Sequence, residues 1–452
     1  MANTIMDIFY SLGSCIYCFP STPQLKINSR SFRMLRLLGE GGFSYVYLVQ
    51  DTADSALYAL KKIRCPFGQE SVSQALKEVE AYTLFAPHPN IIHSIDHAVQ
   101  NDSSTKVSGI GNDGGSSSKT VYILLPYYRR GNLQDMINAN LVNHTRFGER
   151  RLMQLMLGVC KALKAMHQYR VRNTPSNAAA KAIRDEAANE DADAARRHAR
   201  MQNRTMTADQ THQEELNEEQ EAPLMPEAEI TRAQEGKQPG EDRAYAHRDI
   251  KPGNIMLDDD GRTPILMDLG SLAPSPTPIT SRSFAIAVQD TAAEHSTMPY
   301  RAPELFDVKT GSVIDTKVDI WSLGCTMYAC LIGKSPFEAR SDETGGSLSI
   351  CVLGGDWRWP GEGNATKGKD KMPPSRSNTQ SSANGDLNNT TPAASGERTY
   401  PHPAAREVVR RCLAVEPSER PDVDELMTLI DTCLSELPED DEGGPIEGDG
   451  EL

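Results

Sequence analysis

The sequence predicts an α+β chain in two lobes, a β-rich N-terminal lobe and a mainly helical C-terminal lobe with polar inserts threaded through it. Three observations carry this expectation. Residues 29–125 contain alternating stretches, FRMLRLLGEGGFSYVYLVQD and ALYALKKIRC, the pattern of paired, half-covered strands. Beyond residue 126 the apolar spacing turns helical. Residues 171–243 contain no Phe, Tyr or Trp and so lack the apolar surface that would offset the entropy of ordering them.

The totals agree with a folded majority carrying inserts. Of 452 residues, 38% are hydrophobic and only 6% aromatic. The net charge of -15 argues against nucleic acid as a partner, because phosphate binding needs a basic surface. Nine scattered cysteines fit a reducing compartment better than a disulfide framework. No apolar run approaches the length of a membrane-spanning helix, and the N-terminus lacks the basic start of a secretory signal.

In chain order, residues 1–28 read as a short arm, apolar around IFYSLGSCIYCF. The N-lobe is expected over 29–125. Within it, SVSQALKEVEAYTLF places Val72, Leu76, Val79 and Leu84 on one helical face. HPNII and VYILLPYY read as strands, and the Gly/Ser-rich stretch 101–119 between them as a mobile loop. The C-lobe is expected over 126–436. Leu152, Met156, Val159, Leu163 and Met166 share one face of a helix, and VDIWSLGCTMYACLIG, apolar all round, reads as a buried one. Inserts at 171–243 and 361–399 read as disordered. AREVVRRCLAVEPSERPDVDELMTLIDTCL supplies two closing helices, and 437–452 is an acidic tail.

Five short motifs bear on the chemistry. In LLGEGGFSYVYLV, Gly39 and Gly41 fit the first two glycines of G-x-G-x-x-G-x-V, with Ser44 at the third and Val46 in place. Such a loop between strands lets backbone N–H groups approach phosphates, although a Gly-rich turn alone is weak evidence. YALK matches V-A-I-K and puts Lys61 on a strand within reach of the α- and β-phosphates. Glu78, or else Glu80, lies at the right distance on the following helix to hold that ammonium.

His247-Arg248-Asp249-Ile250-Lys251-Pro252-Gly253-Asn254 matches H-R-D-x-x-x-x-N in full, the most specific signal in the chain. Asp249 is the expected proton acceptor for an attacking hydroxyl, Asn254 a magnesium ligand, and Lys251 a counter-charge for the γ-phosphate. In ILMDLGS, Asp268 is placed to bind magnesium, and Leu269 stands where D-F-G has phenylalanine. Ala302-Pro303-Glu304 closes the segment. Glu304 is expected to pair with Arg420, and Thr297 to bond Asp249 and Lys251, which favours Ser/Thr substrates. Arg248 is a candidate receiver for a phosphate on Ser283, Thr291 or Ser296.

Together these residues resemble the eukaryotic protein kinases over roughly 29–436, inserts apart. GEGGFSYVYLV, LPYYRRGNL, ILMDLGS and YRAPELFDV are similar to the Numb-associated kinase group, and within it to the myristoylated and palmitoylated Ser/Thr kinase branch and its fungal vacuolar relatives. The resemblance implies an ATP- and Mg2+-dependent Ser/Thr kinase. It implies protein substrates and membrane attachment at the cytoplasmic face of the Golgi or vacuole, with a cytosolic pool. It makes Leu125 the gatekeeper, Pro126, Tyr127 and Tyr128 the adenine hinge, and Val46 and Ala59 the cover of the adenine ring. One departure is plain: residue 2 is Ala, and N-myristoylation needs glycine there. Cys15 and Cys18 remain open to zinc, redox or acyl chemistry. No second ligand pair and no thioredoxin-like context accompany them, which favours dual S-palmitoylation, with Lys26, Arg30, Arg33 and Arg36 assisting on anionic lipid. The competing function is a catalytically silent scaffold acting through its inserts. The joint presence of Lys61, Asp249, Asn254 and Asp268 argues against it. A small-molecule phosphotransferase is disfavoured by the Gly-rich loop and by Ala302-Pro303-Glu304.

Overall fold

A computed structural model describes residues 24–42, 44–66, 69–101, 118–170, 243–360 and 400–439. The N-terminal lobe is one antiparallel sheet of six strands. These are β1 (Gln24–Ile27), β2 (Arg30–Glu40), β3 (Ser44–Asp51), β4 (Leu57–Cys65), β5 (Asp96–Asn101) and β6 (Lys119–Pro126), in the order β1-β2-β3-β4-β6-β5. Helix α1 (Gln69–Leu84) packs on β4 and β6. Val72 and Val79 are fully buried there and Leu76 and Leu84 half-buried, the face read from the sequence.

The sheet starts earlier than expected. β1 lies inside the stretch 1–28 read as an arm, and its Ile27 is fully buried with Phe32, Val49, Leu60 and Leu124 in a second small core. The basic residues expected to face lipid are also partly committed. Arg30 bonds the Asp51 carboxylate at 2.8 Å and the Tyr58 hydroxyl at 2.8 Å, and Arg33 bonds Gln50 at 2.6 Å. HPNII is not a strand. It makes a single bridge, Ile91 to Leu266, fixed by the Asn90 amide donating to the Pro264 carbonyl at 2.9 Å. The strand in that region is the polar β5, whose thin apolar pattern hid it.

The C-terminal lobe is built on α3 (Glu149–His167) and α5 (Lys317–Ile332). In α3 the five apolar residues at helical spacing are all fully buried. In α5 every residue from Val318 to Leu331 is buried, so this helix is the centre of the lobe. Around it stand α2 (Leu133–Asn143), α4 (Arg282–His295), α6 (Pro336–Thr344), α7 (Leu348–Leu353), α8 (Pro403–Cys412) and α9 (Val423–Glu436). Local sequence sets several ends. Asn132 with Asp135, Ser335 with Glu338 and Asp422 with Glu425 form reciprocal capping boxes, satisfying N–H groups that the first helical turn leaves unpaired. Close approach depends on Gly324 in α5, where an added Cβ would lie 2.6 Å from Cys412 Cβ of α8.

Short strands β7 (Ala244–Ala246), β8 (Ile255–Leu257), β9 (Pro264–Leu266), β10 (Ala273–Ser275), β11 (Thr277–Pro278) and β12 (Val313–Ile314) pair as β7–β10, β8–β9 and β11–β12 beneath the sheet. The loop from β7 to β8 carries residues 247–254, and Asp268 follows β9. The two ends of the first insert meet, with Arg243 N–H donating to the Tyr169 carbonyl at 2.8 Å. Phe85, Tyr169 and Tyr245 pack edge to face around the junction. The tail is tied at its start, since Leu437, read as the first tail residue, is buried against α9. All seven described cysteines are buried and none is in a disulfide, and no described helix is long and apolar enough to cross a membrane.

Candidate active site

The Gly-rich turn joins β2 to β3. Gly39 pairs with Val46, and the Gly41 N–H donates to the Ser44 carbonyl at 2.7 Å. A Cβ on Gly41 would meet Ser44 Oγ at 3.0 Å, so the tight turn favours glycine. Lys61 sits mid-strand in β4, between Val46 of β3 and Ile123 of β6, while Ala59 stands opposite Leu125. That register puts Val46, Ala59, Lys61 and Leu125 on one face of the sheet. Tyr127 and Tyr128 follow β6 half-buried, and burial with the nearby Asp258 raises the Tyr128 phenol to about 12.

The Lys61 ammonium donates to Glu78 Oε1 at 2.7 Å and to Asp268 Oδ1 at 3.2 Å. Glu78, not Glu80, is therefore the helix partner. Burial alone would lower the Lys61 pKa, but the two carboxylates outweigh it and raise it. The same charge holds the half-exposed Asp268 carboxyl down at about 2, against the opposing effect of partial desolvation.

Asp249 lies in the loop between β7 and β8 and is buried. Its Oδ1 accepts from the Thr297 N–H at 2.9 Å and the Thr297 hydroxyl at 2.8 Å. Its Oδ2 accepts from Lys251 Nζ at 2.7 Å and Asn254 Nδ2 at 3.0 Å. Lys251 also donates to Thr297 Oγ1 at 2.7 Å, so the expected Thr297 bridge is present. Four donors fix one carboxylate, the preorganisation a proton-accepting group needs. Because Asn254 donates through Nδ2, its Oδ1 is left as an oxygen ligand alongside the Asp268 carboxylate. Two hard oxygen donors suit Mg2+, which completes its shell with water and phosphate oxygens. Among the described residues no cluster of three His, Cys, Asp or Glu side chains forms a closed metal cage.

The sequence reading missed the residue that holds this loop. Asp319 of α5 is fully buried and accepts from the His247 N–H at 2.8 Å and the Arg248 N–H at 2.8 Å. It also lies 2.9 Å from His167 Nε2. Burial opposes its charge, but these hydrogen bonds and the nearby His167 and His247 outweigh that and lower its pKa. Its signal was available: one acid in an otherwise apolar helix must find partners. The clamp keeps Arg248 in the left-handed region, at φ +69°, next to Asp249.

The segment from Asp268 to Glu304 holds a second surprise, the fourteen-residue helix α4, which begins at the Ser281 cap and was not expected. Arg301 secures its C-terminal end by donating to Ser296 Oγ at 2.7 Å and the Ser296 carbonyl at 2.9 Å. Among the described residues Arg248 makes no hydrogen bond to Ser283, Thr291 or Ser296. It donates to Thr277 Oγ1 at 3.1 Å, and burial lowers its guanidinium to about 10. Glu304 and Arg420 pair in two parallel bonds of 2.7 and 2.8 Å, with Arg420 fully buried over Trp321. Cys15 and Cys18 lie outside the described residues.

The protein kinase domain model matches residues 32–173 and 242–429, most of the chain and both sides of the first insert. The chain belongs to the serine/threonine protein kinase family. Serine/threonine-protein kinase ENV7 of Saccharomyces cerevisiae is 31% identical over 95% of this kinase and 99% of its own length. Serine/threonine-protein kinase ppk13 of Schizosaccharomyces pombe is 30% identical, with 91% and 92% covered. Serine/threonine-protein kinase 16 of Rattus norvegicus is 30% identical, with 74% and 80% covered. Most of residues 171–243 fall in the gap of the domain match, so the kinase carries its first insert as an addition between α3 and β7.

Proposed function

We propose that this kinase transfers the γ-phosphoryl group of ATP to Ser or Thr hydroxyls of protein substrates, with Mg2+. The observation that supports it is the fourfold-bonded Asp249 carboxylate on a loop tied to the Asp268 loop of the Lys61–Glu78–Asp268 cluster, by the Met267 N–H to the Asn254 carbonyl at 2.8 Å and by His247 Nε2 against the Met267 carbonyl at 2.9 Å. In this reading Val46, Ala59, Leu125, Tyr127 and Tyr128 hold the adenine, and the Gly39–Gly41 turn covers the phosphates. Lys61 positions the α- and β-phosphates. Asp249 orients the acceptor hydroxyl and takes its proton, while Lys251 faces the charge that builds on the transferring group. Asn254 and Asp268 would hold Mg2+, which when bound would neutralise charge on the phosphates.

The finer placement is also proposed. The motif resemblance supports the Numb-associated group and its fungal vacuolar branch. It also supports attachment to the cytoplasmic face of Golgi or vacuolar membranes through acylated Cys15 and Cys18, and a role in traffic there. A peptide array read with labelled ATP tests the chemistry. Ser and Thr spots light with the wild type and stay dark with Asp268→Asn, and equal signals would refute the reading. For the anchor, replacing Cys15 and Cys18 with Ser moves the protein from the membrane to the soluble fraction. Unchanged fractionation rejects it.

A further inference from the structure

We propose that Tyr82 is a positioning residue for the nucleotide-binding ammonium, its hydroxyl locking Glu78 against Lys61 and tying helix α1 to the Asp268 loop. The inference rests on the kinase reading above and deepens it.

Leu269 stands where an aromatic ring is usual, so the turn after Asp268 lacks the bulk that would wedge it against α1. The ring is supplied from the other side. Tyr82 lies one helical turn beyond Glu78 on α1, on the same face, and is buried to 1% exposure, as is Leu269. Helix α1 packs directly on the short turn Leu269–Ser271. The Tyr82 hydroxyl donates to Glu78 Oε1 at 2.7 Å, the same oxygen that accepts from Lys61 at 2.7 Å. Leu269 itself is buried at the turn on which α1 packs. Burial first, and the Glu78 and Asp268 charges next, keep the phenol protonated, so it remains a donor. A chain of hydrogen bonds thus runs from Tyr82 through Glu78 to Lys61, which closes on Asp268. Gly270 completes the fit, since a Cβ there would lie 3.3 Å from Asp268 Oδ1 and 3.6 Å from Glu78 Oε2.

The chemistry follows from that geometry. Glu78 must present one oxygen to Lys61 in a fixed direction for the ammonium to face phosphates. A lone carboxylate on a helix can rotate; one whose accepting oxygen is shared by two donors is restrained, and charge-assisted bonds in a dry site are the stronger kind. The ring and the hydroxyl therefore do separable things. The ring fills volume, which is stability. The hydroxyl orients Glu78, which is catalysis through Lys61.

Steady-state kinetics, Mg-ADP affinity and melting temperature of wild type, Tyr82→Phe, Tyr82→Leu and the pair Tyr82→Leu with Leu269→Phe separate the two. Tyr82→Phe keeps its melting temperature, loses about tenfold in kcat/KM for ATP, binds Mg-ADP more weakly, and keeps its KM for the acceptor peptide. Tyr82→Leu also melts lower. Adding Leu269→Phe recovers melting temperature but not kcat/KM. The proposal is overturned if Tyr82→Phe stays within twofold of an active wild type, or if the paired variant recovers kcat/KM together with stability. A wild type that transfers no phosphate sinks the kinase reading separately. The affinity arm then decides for Tyr82, and equal Mg-ADP binding by wild type and Tyr82→Phe overturns the proposal there too.

Discussion

At the scale of single residues, the site is a set of charges each held by a named partner. Thr297 is the clearest case, because its hydroxyl both donates to Asp249 and accepts from Lys251. Thr297→Ala should cost about 10- to 100-fold in kcat, the worth of a hydrogen bond to a charged group, while Thr297→Ser stays near wild type. Steady-state kinetics with one acceptor peptide checks this. Asp268 gives a pH prediction. Its pKa, about 2, lies below the ordinary carboxylate value because Lys61 faces it. Its contribution to stability is therefore complete above its unfolded pKa of about 4 and disappears as pH falls through about 2. The melting-temperature gap between wild type and Asp268→Asn should shrink over that window, and a constant gap contradicts the assignment. Lys61, Asp249, Lys251, Asn254 and Asp268 were legible in sequence because their spacing is dictated by a phosphate-bearing ligand. Tyr82 and Asp319 were not, because a hydrogen bond inside the fold leaves no spacing rule. Only their chemistry, a phenol on an apolar face and an acid in an apolar helix, could have marked them.

At the scale of elements, the long periodic segments were the readable ones. Helices α3 and α5 announced themselves through residues that are now fully buried. β5 and α4 did not. β5 pairs only with β6 at one edge of the sheet and is largely polar. α4 is specified by its Ser281 cap and by Arg301 at its far end more than by its own pattern. The tertiary clamps are testable. Asp319→Ala leaves His247 N–H, Arg248 N–H and His167 without their shared acceptor, and should destabilise by about 3–5 kcal/mol, read by urea unfolding. Gly324→Ala drives a methyl into Cys412 and should cost about 1–3 kcal/mol without touching the cleft. Equal stability in either variant would show that α5 is not the organising helix.

At the scale of the whole molecule, the question is how a chain carries a long insertion beside its catalytic loop. The answer is the junction at Tyr169 and Arg243, where main-chain bonding and three packed aromatic rings close the fold on its own. Closure entropy grows only with the logarithm of length, so an insertion of this size costs about 2–3 kcal/mol relative to a short turn. Replacing residues 174–241 with a short Gly/Ser linker should therefore leave kcat within about twofold and raise stability by a similar few kcal/mol, checked by kinetics and denaturant unfolding. The two-lobed α+β architecture was legible from period-two and helical patterning, but the limits of the lobes were not. Ile27 and Leu437 each enter a core from a stretch whose composition reads as a tail. All of these features serve one claim, that Asp249 accepts a substrate proton in a cleft built around a nucleotide's terminal phosphate. The most direct test is the initial rate of labelled phosphate transfer by the full chain against Asp249→Ala. The account predicts a fall of at least about a hundredfold with an unchanged fold by circular dichroism, whereas equal rates would contradict it.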